Sequence, residues 1–137
     1  MTAETLIATH PDVHGSTNDA LAHAIESTLA CALACSVCAD ACLAEDGVRD
    51  LVQCIRLDQD CADVCRVTSL LASRRSGSNE ALIAVQLDVC MRACAACAAE
   101  CERHADMHEH CRLCAEACRA CETACREARD TFATVVH

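Results

Sequence analysis

Sixteen of the 137 residues are cysteine, and their spacing restricts the chain to one kind of fold. Cys31, Cys35, Cys38 and Cys42 follow one another at intervals of 4, 3 and 4, and Cys90, Cys94, Cys97 and Cys101 repeat that order. Cys111, Cys114, Cys118, Cys121 and Cys125 run at 3, 4, 3 and 4. Cys54, Cys61 and Cys65 fit the same template with Asp58 in the vacant place. Alternating three and four is the period of one helix face, the a and d seam of a bundle. The cysteines therefore stand where Leu ordinarily packs, and they predict four helices that point their thiols at one another.

Four segments carry this pattern. The first runs from about Thr17 to Glu45, with Ser16 and Asp19 as its start signal. Glu45-Asp46-Gly47 turns into a second, from about Val48 to Ser73. The loop-like stretch Arg75 to Asn79 offers Ser78 or Asn79 as N-cap of a third, from Glu80 to His104. After a break at Ala105-Asp106, Asp106 and Glu109 are placed as a capping box for a fourth, ending near Phe132. Breaks this short join antiparallel neighbours, so the fold class is all-α, an antiparallel up-down-up-down four-helix bundle with a Cys-lined core. Residues 1–15 read as an N-terminal extension and 16–137 as the bundle. Glu116 with Arg119 and Glu122 with Arg126 fit a solvated outer face.

Direction adds polarity. In antiparallel order the cysteine ladders all overlap toward the end that holds the 45–47 and 105–106 breaks. The eleven-residue step from Cys31 to Cys42 makes a column about 16 Å long. Leu21, Ile25, Leu29, Leu70, Leu71, Ile83, Leu87 and Phe132 are expected to plug the other end.

The formal charge is −10, from 21 acidic residues against 11 basic ones, all Arg. Such a balance argues against nucleic acid, which needs basic surface to release counterions, and against anionic membranes. Met1 to Gly15 has no basic residue and no apolar run of leader length, and no later stretch is read as a bilayer span, which predicts a cytosolic location. In a reducing cytosol, metal is a better default for so many thiols than a disulfide framework. Disulfides fail on geometry as well: Cβ atoms at i and i+4 lie about 5–6 Å apart, where a disulfide wants roughly 3.5–4.5 Å. With bonds near 2.3 Å, a nearly linear S–metal–S bridge spans roughly 4.5 Å.

Soft thiolates select copper(I), zinc and iron–sulfur clusters. Structural zinc sites place paired cysteines on converging turns, whereas Cys35/Cys38, Cys94/Cys97, Cys111/Cys114 and Cys118/Cys121 sit inside continuous helices. Ferredoxin spacing is absent. Copper(I) accepts two or three sulfurs, and a thiolate can bridge two ions. Sixteen thiolates therefore hold on the order of 16 copper(I), against about four zinc in independent four-cysteine sites. Each copper(I) replaces about one thiol proton, so a filled core stays near neutral. Buried thiols are expected to be protonated before loading, giving a bundle that folds without metal. A zinc or general soft-metal buffer, an iron–sulfur carrier and a redox-sensing thiol protein remain as alternatives.

From Ser16 to Phe132 these four ladders resemble the four-helix-bundle copper storage proteins of bacteria, of the cytosolic type. The resemblance implies a homotetramer of bundles, each storing multiple copper(I) ions. No nucleophile–base pair with a substrate pocket is visible and the interior is filled with ligands, so no catalysis is expected; a copper donor or acceptor is an expected partner. Asp58 departs from that pattern, and implies lower capacity or a site with different ligands.

Continuing the inward face beyond Cys101 reaches His104, and stepping back from Cys111 and Cys114 reaches His108, Met107 and His110. Imidazole and thioether bind copper(I), so this rim is an expected entry site, led by His104 and His108. Asp58 is expected one to two layers inside, facing one of these histidines or a copper ion, because a buried carboxylate needs a partner. His10 and His14 flank Pro11 in an expected N-terminal strap, with metal binding as the lesser alternative.

Overall fold

The computed structural model describes residues 1–132, and within them every regular element is helical. Residues 133–137, the last part of the expected 16–137 domain, lie outside the described residues. A short α1 (Ala3–Ala8) precedes four long helices: α2 (Asp19–Ala44), α3 (Val52–Ser73), α4 (Glu80–Glu102) and α5 (Glu109–Asp130). A single 3-10 turn, Val48–Leu51, leads into α3. α2 packs against α3 and α5, and α4 against α3 and α5, so the four close into a ring around one column. This is the expected up-down-up-down bundle.

The local signals at the helix ends differ from those expected. α2 is capped by Asn18, whose side chain accepts from the Leu21 N–H at 3.0 Å, rather than by Ser16 with Asp19. The Asn18 amide also donates to Thr131 Oγ1 at 2.9 Å, tying the start of α2 to the end of α5. Asn79 precedes α4, yet its amide turns back to donate to the Arg74 carbonyl at 2.7 Å and gives the helix no side-chain cap. The capping box of Asp106 and Glu109 does not form. His108 stands at the N-cap of α5, and Glu109 instead takes Arg112, whose Nε donates to it at 3.0 Å.

On the outer faces Arg126 pairs with Glu122 at 3.3 Å. The expected Glu116–Arg119 pair is replaced: Glu116 takes Arg112 at 2.6 Å, while Arg119 bridges to Glu102 on α4 at 2.8 Å. Exposed pairs of this kind contribute little each.

All sixteen cysteines are buried, each at most 1% exposed. Beside them lie buried alanines on every long helix, among them Ala32, Ala62, Ala98 and Ala124. Small side chains on the flanks let the helices approach closely enough for a thiol core to fill without aromatics.

The plug is made of fewer residues than expected. Leu21, Ile25, Ile83, Leu87 and Phe132 are buried there, but Leu29 and Leu70 are 48% and 60% exposed and Leu71 is half-buried. The 3-4 register explains this: three residues beyond each ladder it selects Thr28, Thr68, Leu87 and Ala128, all buried. The two threonine hydroxyls donate to Ile25 O (2.8 Å) and Val64 O (2.7 Å) of their own helices. Residues 1–15 are held against the bundle as a strap. Ile7 and Val13 are buried, and the Ala3 N–H donates to Glu26 of α2 at 2.7 Å. In that strap His10 Nδ1 accepts from the Asp12 N–H at 3.1 Å, and His14, at φ 54°, starts the left-handed turn completed by Gly15.

The expectation that no stretch could span a bilayer is corrected. α2 and α4 are long enough, and their best windows reach mean hydropathies of 1.7 and 1.6. That apolarity comes largely from Cys and Ala, and the cysteine faces of both helices are buried in the bundle. With caps and an apolar plug independent of metal, the reduced apo-protein should show a fully helical far-UV circular dichroism spectrum. Asn18→Ala should lower its stability by about 1 kcal/mol, and Leu87→Ala by about 2–5 kcal/mol, in anaerobic urea unfolding. An apo-protein that is a coil would overturn the preformed core.

Candidate metal centre

Four helices each present one sulfur per turn to a shared axis, so the thiols stack in layers. Beginning at the end near the 45–47 turn, sets whose ligand atoms all lie within 4.8 Å of one another include Cys38/Cys42/Cys54/Cys111 and Cys38/Cys54/Asp58/Cys101. Further in come Cys35/Cys97/Cys114/Cys118, Cys31/Cys35/Cys61/Cys118 and Cys31/Cys65/Cys94/Cys121. Cys65, Cys90 and Cys125 complete the ladders above the threonine floor, with Cys65 and Cys90 sulfurs 3.8 Å apart. Successive sets share members, so the column is continuous.

Every cysteine is a free thiol. Neighbouring sulfurs along a helix are 3.8 Å apart at Cys31/Cys35 and 4.0 Å at Cys38/Cys42. Across helices they are 3.6 Å apart at Cys35/Cys118 and at Cys54/Cys101. These spacings are shorter than the roughly 4.5 Å of a linear bridge. They match the roughly 4.0 Å edge of a trigonal site with bonds of about 2.3 Å. The roughly 3.8 Å edge of a tetrahedral site with the same bonds fits them equally well. Burial pushes the Cys42 thiol up to about 11 and raises Cys111 as well. At neutral pH these rim thiols keep their protons until something displaces them.

Asp58 takes the place of a thiol in the second layer, and it is fully buried. Among the described residues no histidine bonds to it. Its Oδ1 accepts from Cys97 at 3.1 Å, Cys114 at 3.2 Å and Cys101 at 3.5 Å, and Oδ2 lies 3.9 Å from Cys54. The carboxyl group thus meets thiols of α4, of α5 and of its own helix. Burial pushes its pKa up to about 8.

The rim is arranged differently from the periodic expectation. Residues 103–107 form turns between α4 and α5, so helical stepping fails there. His104 hydrogen-bonds Glu100 at 2.7 Å instead of a thiol, and Met107 is 82% exposed. The histidine in contact with sulfur is His110, inside the first turn of α5. Its Nδ1 lies 3.4 Å from Cys38, 3.6 Å from Cys111 and 3.9 Å from Cys42. His108 stacks on it, ring centroids 5.4 Å apart. Sequence reasoning misses Glu45 and Glu100, the carboxylates that hold these rings. Glu45 follows Cys42 by three residues and Glu100 precedes Cys101 by one, and closeness to the mouth end of a ladder is the signal that could have found them.

A soft cation entering this column meets imidazole nitrogen first, then an unbroken succession of thiols, with one carboxyl group near the mouth. Comparison with known proteins agrees with that chemistry. A family model described as copper storage protein matches residues 17–130. Ccsp from Streptomyces lividans, solved loaded with 10 copper equivalents, is 52% identical, with a TM-score of 0.89 over 94% of this chain and 98% of that one. A five-copper form of a cytosolic copper storage protein from the same organism is 54% identical, with a TM-score of 0.80 over 82% and 93%. Cu(I)-bound BsCsp3 is 36% identical, with a TM-score of 0.67 over 75% and 92%. The uncharacterized cysteine-rich protein YhjQ of Bacillus subtilis (strain 168) is 37% identical over 93 residues, 68% of this chain and 81% of that protein. Ladders, bundle and relatives converge on one assignment: the chain belongs to the copper storage protein family.

Proposed function

We propose that this protein stores multiple copper(I) ions in the cytosol, held by thiolates inside the bundle, as cargo and not as a catalytic cofactor. The observation that carries the proposal is the continuity of the thiol column. Cys31 and Cys35 each belong to two four-ligand sets, which suits bridging thiolates and does not suit closed, independent four-cysteine sites. A zinc buffer is the second reading, because the same sets are compact enough for a tetrahedral ion. Charge weighs against it. A zinc ion held by four thiolates carries a net charge of about −2, and several such sites in one dry core bury charge without a partner. One-to-one exchange of copper(I) for thiol protons leaves the core near neutral.

The rim of His104, His108 and His110 supports entry at that end, where a copper donor or acceptor would engage. His110 Nδ1 together with Cys38, Cys42 and Cys111 makes the outermost ligand set.

The test is an anaerobic copper(I) titration of the reduced apo-protein against a competing chelator. An end point well above four ions per chain is expected, approaching about one per thiol. Saturation at four or fewer, or preferential retention of zinc, would overturn storage. Followed in time, replacement of His104 and His108 together should slow loading without lowering the end point; an unchanged rate removes the entry role.

Asp58 gives the apo-protein a pH dependence with a definite sign. Folded, the carboxyl keeps its proton up to about pH 8, whereas the unfolded chain loses it near 4. Between those values the unfolded state binds fewer protons, so this contribution to stability is full below about pH 4 and is lost as pH rises toward 8. Asp58→Asn should be more stable than the parent at pH 8 by roughly 2–5 kcal/mol, with the gap closing toward pH 4.5. Urea midpoints across that range read it, and a gap independent of pH refutes the assignment.

The exposed stripe Leu29, Leu33 and Val37 on α2, with Val67 and Leu70 on α3, supports self-association, in keeping with a homotetramer. Leu33→Glu should reduce the mass seen by light scattering. A parent protein that is already monomeric counts against it.

A further inference from the structure

We propose that Glu45 is the positioning residue of the mouth: its carboxylate fixes which nitrogen of His110 is left bare for copper(I). The inference rests on the storage reading and adds to it a residue that touches no sulfur itself.

Glu45 is the C-cap of α2, three residues past Cys42, and its N–H donates to the Cys42 carbonyl at 3.2 Å. That bond ends the helix, and ψ 143° turns the chain out of it. The side chain is thereby set beside the start of α5. One oxygen, Oε1, lies 3.4 Å from His110 Nε2, and the other, Oε2, lies 3.3 Å from His108 Nδ1. A single half-exposed carboxylate thus holds two largely buried imidazoles, one per oxygen.

A neutral imidazole carries one N–H, and the other nitrogen is an acceptor. A carboxylate accepts only, so it selects the tautomer whose N–H faces it. For His110 this puts the proton on Nε2 and aims the Nδ1 lone pair at Cys38, Cys111 and Cys42, at 3.4, 3.6 and 3.9 Å. The opposite tautomer would set a lone pair against the carboxylate and an N–H among the sulfurs, where a soft cation needs a donor. His108 Nδ1 lies 3.3 Å from the same carboxylate, an ion-pair distance without a hydrogen bond, so this contact does not select its tautomer. With the two rings stacked at 5.4 Å and 24°, His108 lies directly against the ring whose Nδ1 is left bare. His104 repeats the device separately, its Nε2 held by Glu100 at 2.7 Å.

Carboxylate partners of ligating histidines typically change metal affinity or activity by about 10–100-fold when removed. The test uses full-length, reduced protein labelled with the nitrogen-15 isotope. Long-range proton–nitrogen correlation spectra of the apo-protein should show His110 protonated on Nε2. Glu45→Ala should convert His110 to a mixture of tautomers. It should also slow the uptake of the first copper(I) equivalents by about tenfold, at an unchanged end point. Glu45→Gln retains an acceptor oxygen and should restore the His110 tautomer. The backbone cap survives both substitutions, and far-UV circular dichroism checks that the bundle does too. A His110 tautomer that is the same in parent and Glu45→Ala overturns the proposal, even if copper binds normally. A parent end point of four ions or fewer overturns the storage reading instead, so the two failures are distinguishable.

Discussion

A column of sulfurs in mutual contact must be electrically neutral, and most of this structure follows from that requirement. Sulfur neighbours at 3.6–4.0 Å in a core closed to water leave no room for solvent to screen a thiolate. The empty bundle meets the requirement with protons, which burial holds on thiols such as Cys42 and Cys111. The helix period spaces the thiols too evenly for disulfides to collapse the column, and all sixteen remain free. Alanine on the flanks sets the helix separation. An apolar end with Leu21, Ile83, Leu87 and Phe132 supplies the burial that a thiol core provides less generously.

The mouth is built on the opposite rule, since charge is admitted there. Glu45 is partly exposed, and Glu45 and Glu100 both hold imidazoles at this end of the bundle. One layer further in, Asp58 is the only carboxyl group among the described residues to be fully buried. It is tolerated because thiols donate to it from three helices and because burial keeps it protonated up to about pH 8. Charge therefore declines from the surface to the interior, from carboxylates and imidazoles at the rim to a protonated carboxyl group set among thiols.

Bundle, ladders and polarity are legible in the sequence because helix period is a strong signal and a 3-4 repeat of cysteines has no competing explanation. The signal fails where the backbone leaves the helix. Periodicity assigns Met107 inward by stepping along a helix that does not begin until Glu109, and His104 turns to Glu100 for the same kind of local reason. The same stepping finds His110, but its priority over His104 depends on a distance that no periodicity contains. Counting Leu by composition overfills the plug; the register, followed three residues further, chooses Thr28 and Thr68 over Leu29 and Leu70. The vacancy in its ladder places Asp58 correctly, while its partners, thiols and not a histidine, depend on the neighbouring helices.

Neutrality also constrains how such a column fills. In the inner layers around Cys31, Cys61, Cys94 and Cys121 the ligand sets contain only thiols, so each copper(I) must displace one proton and charge must balance locally at every stage. Near the mouth the balance is looser. Asp58 can surrender its proton to offset a cation, and His110 donates without any charge of its own. A cluster with more copper than thiolate, or fewer, is therefore tolerable beside Asp58 and His110 and costly further in. Partial loading should accordingly be distributed unevenly along the axis, with non-integral ratios of copper to sulfur confined to the outer layers and one-to-one filling imposed on the inner ones.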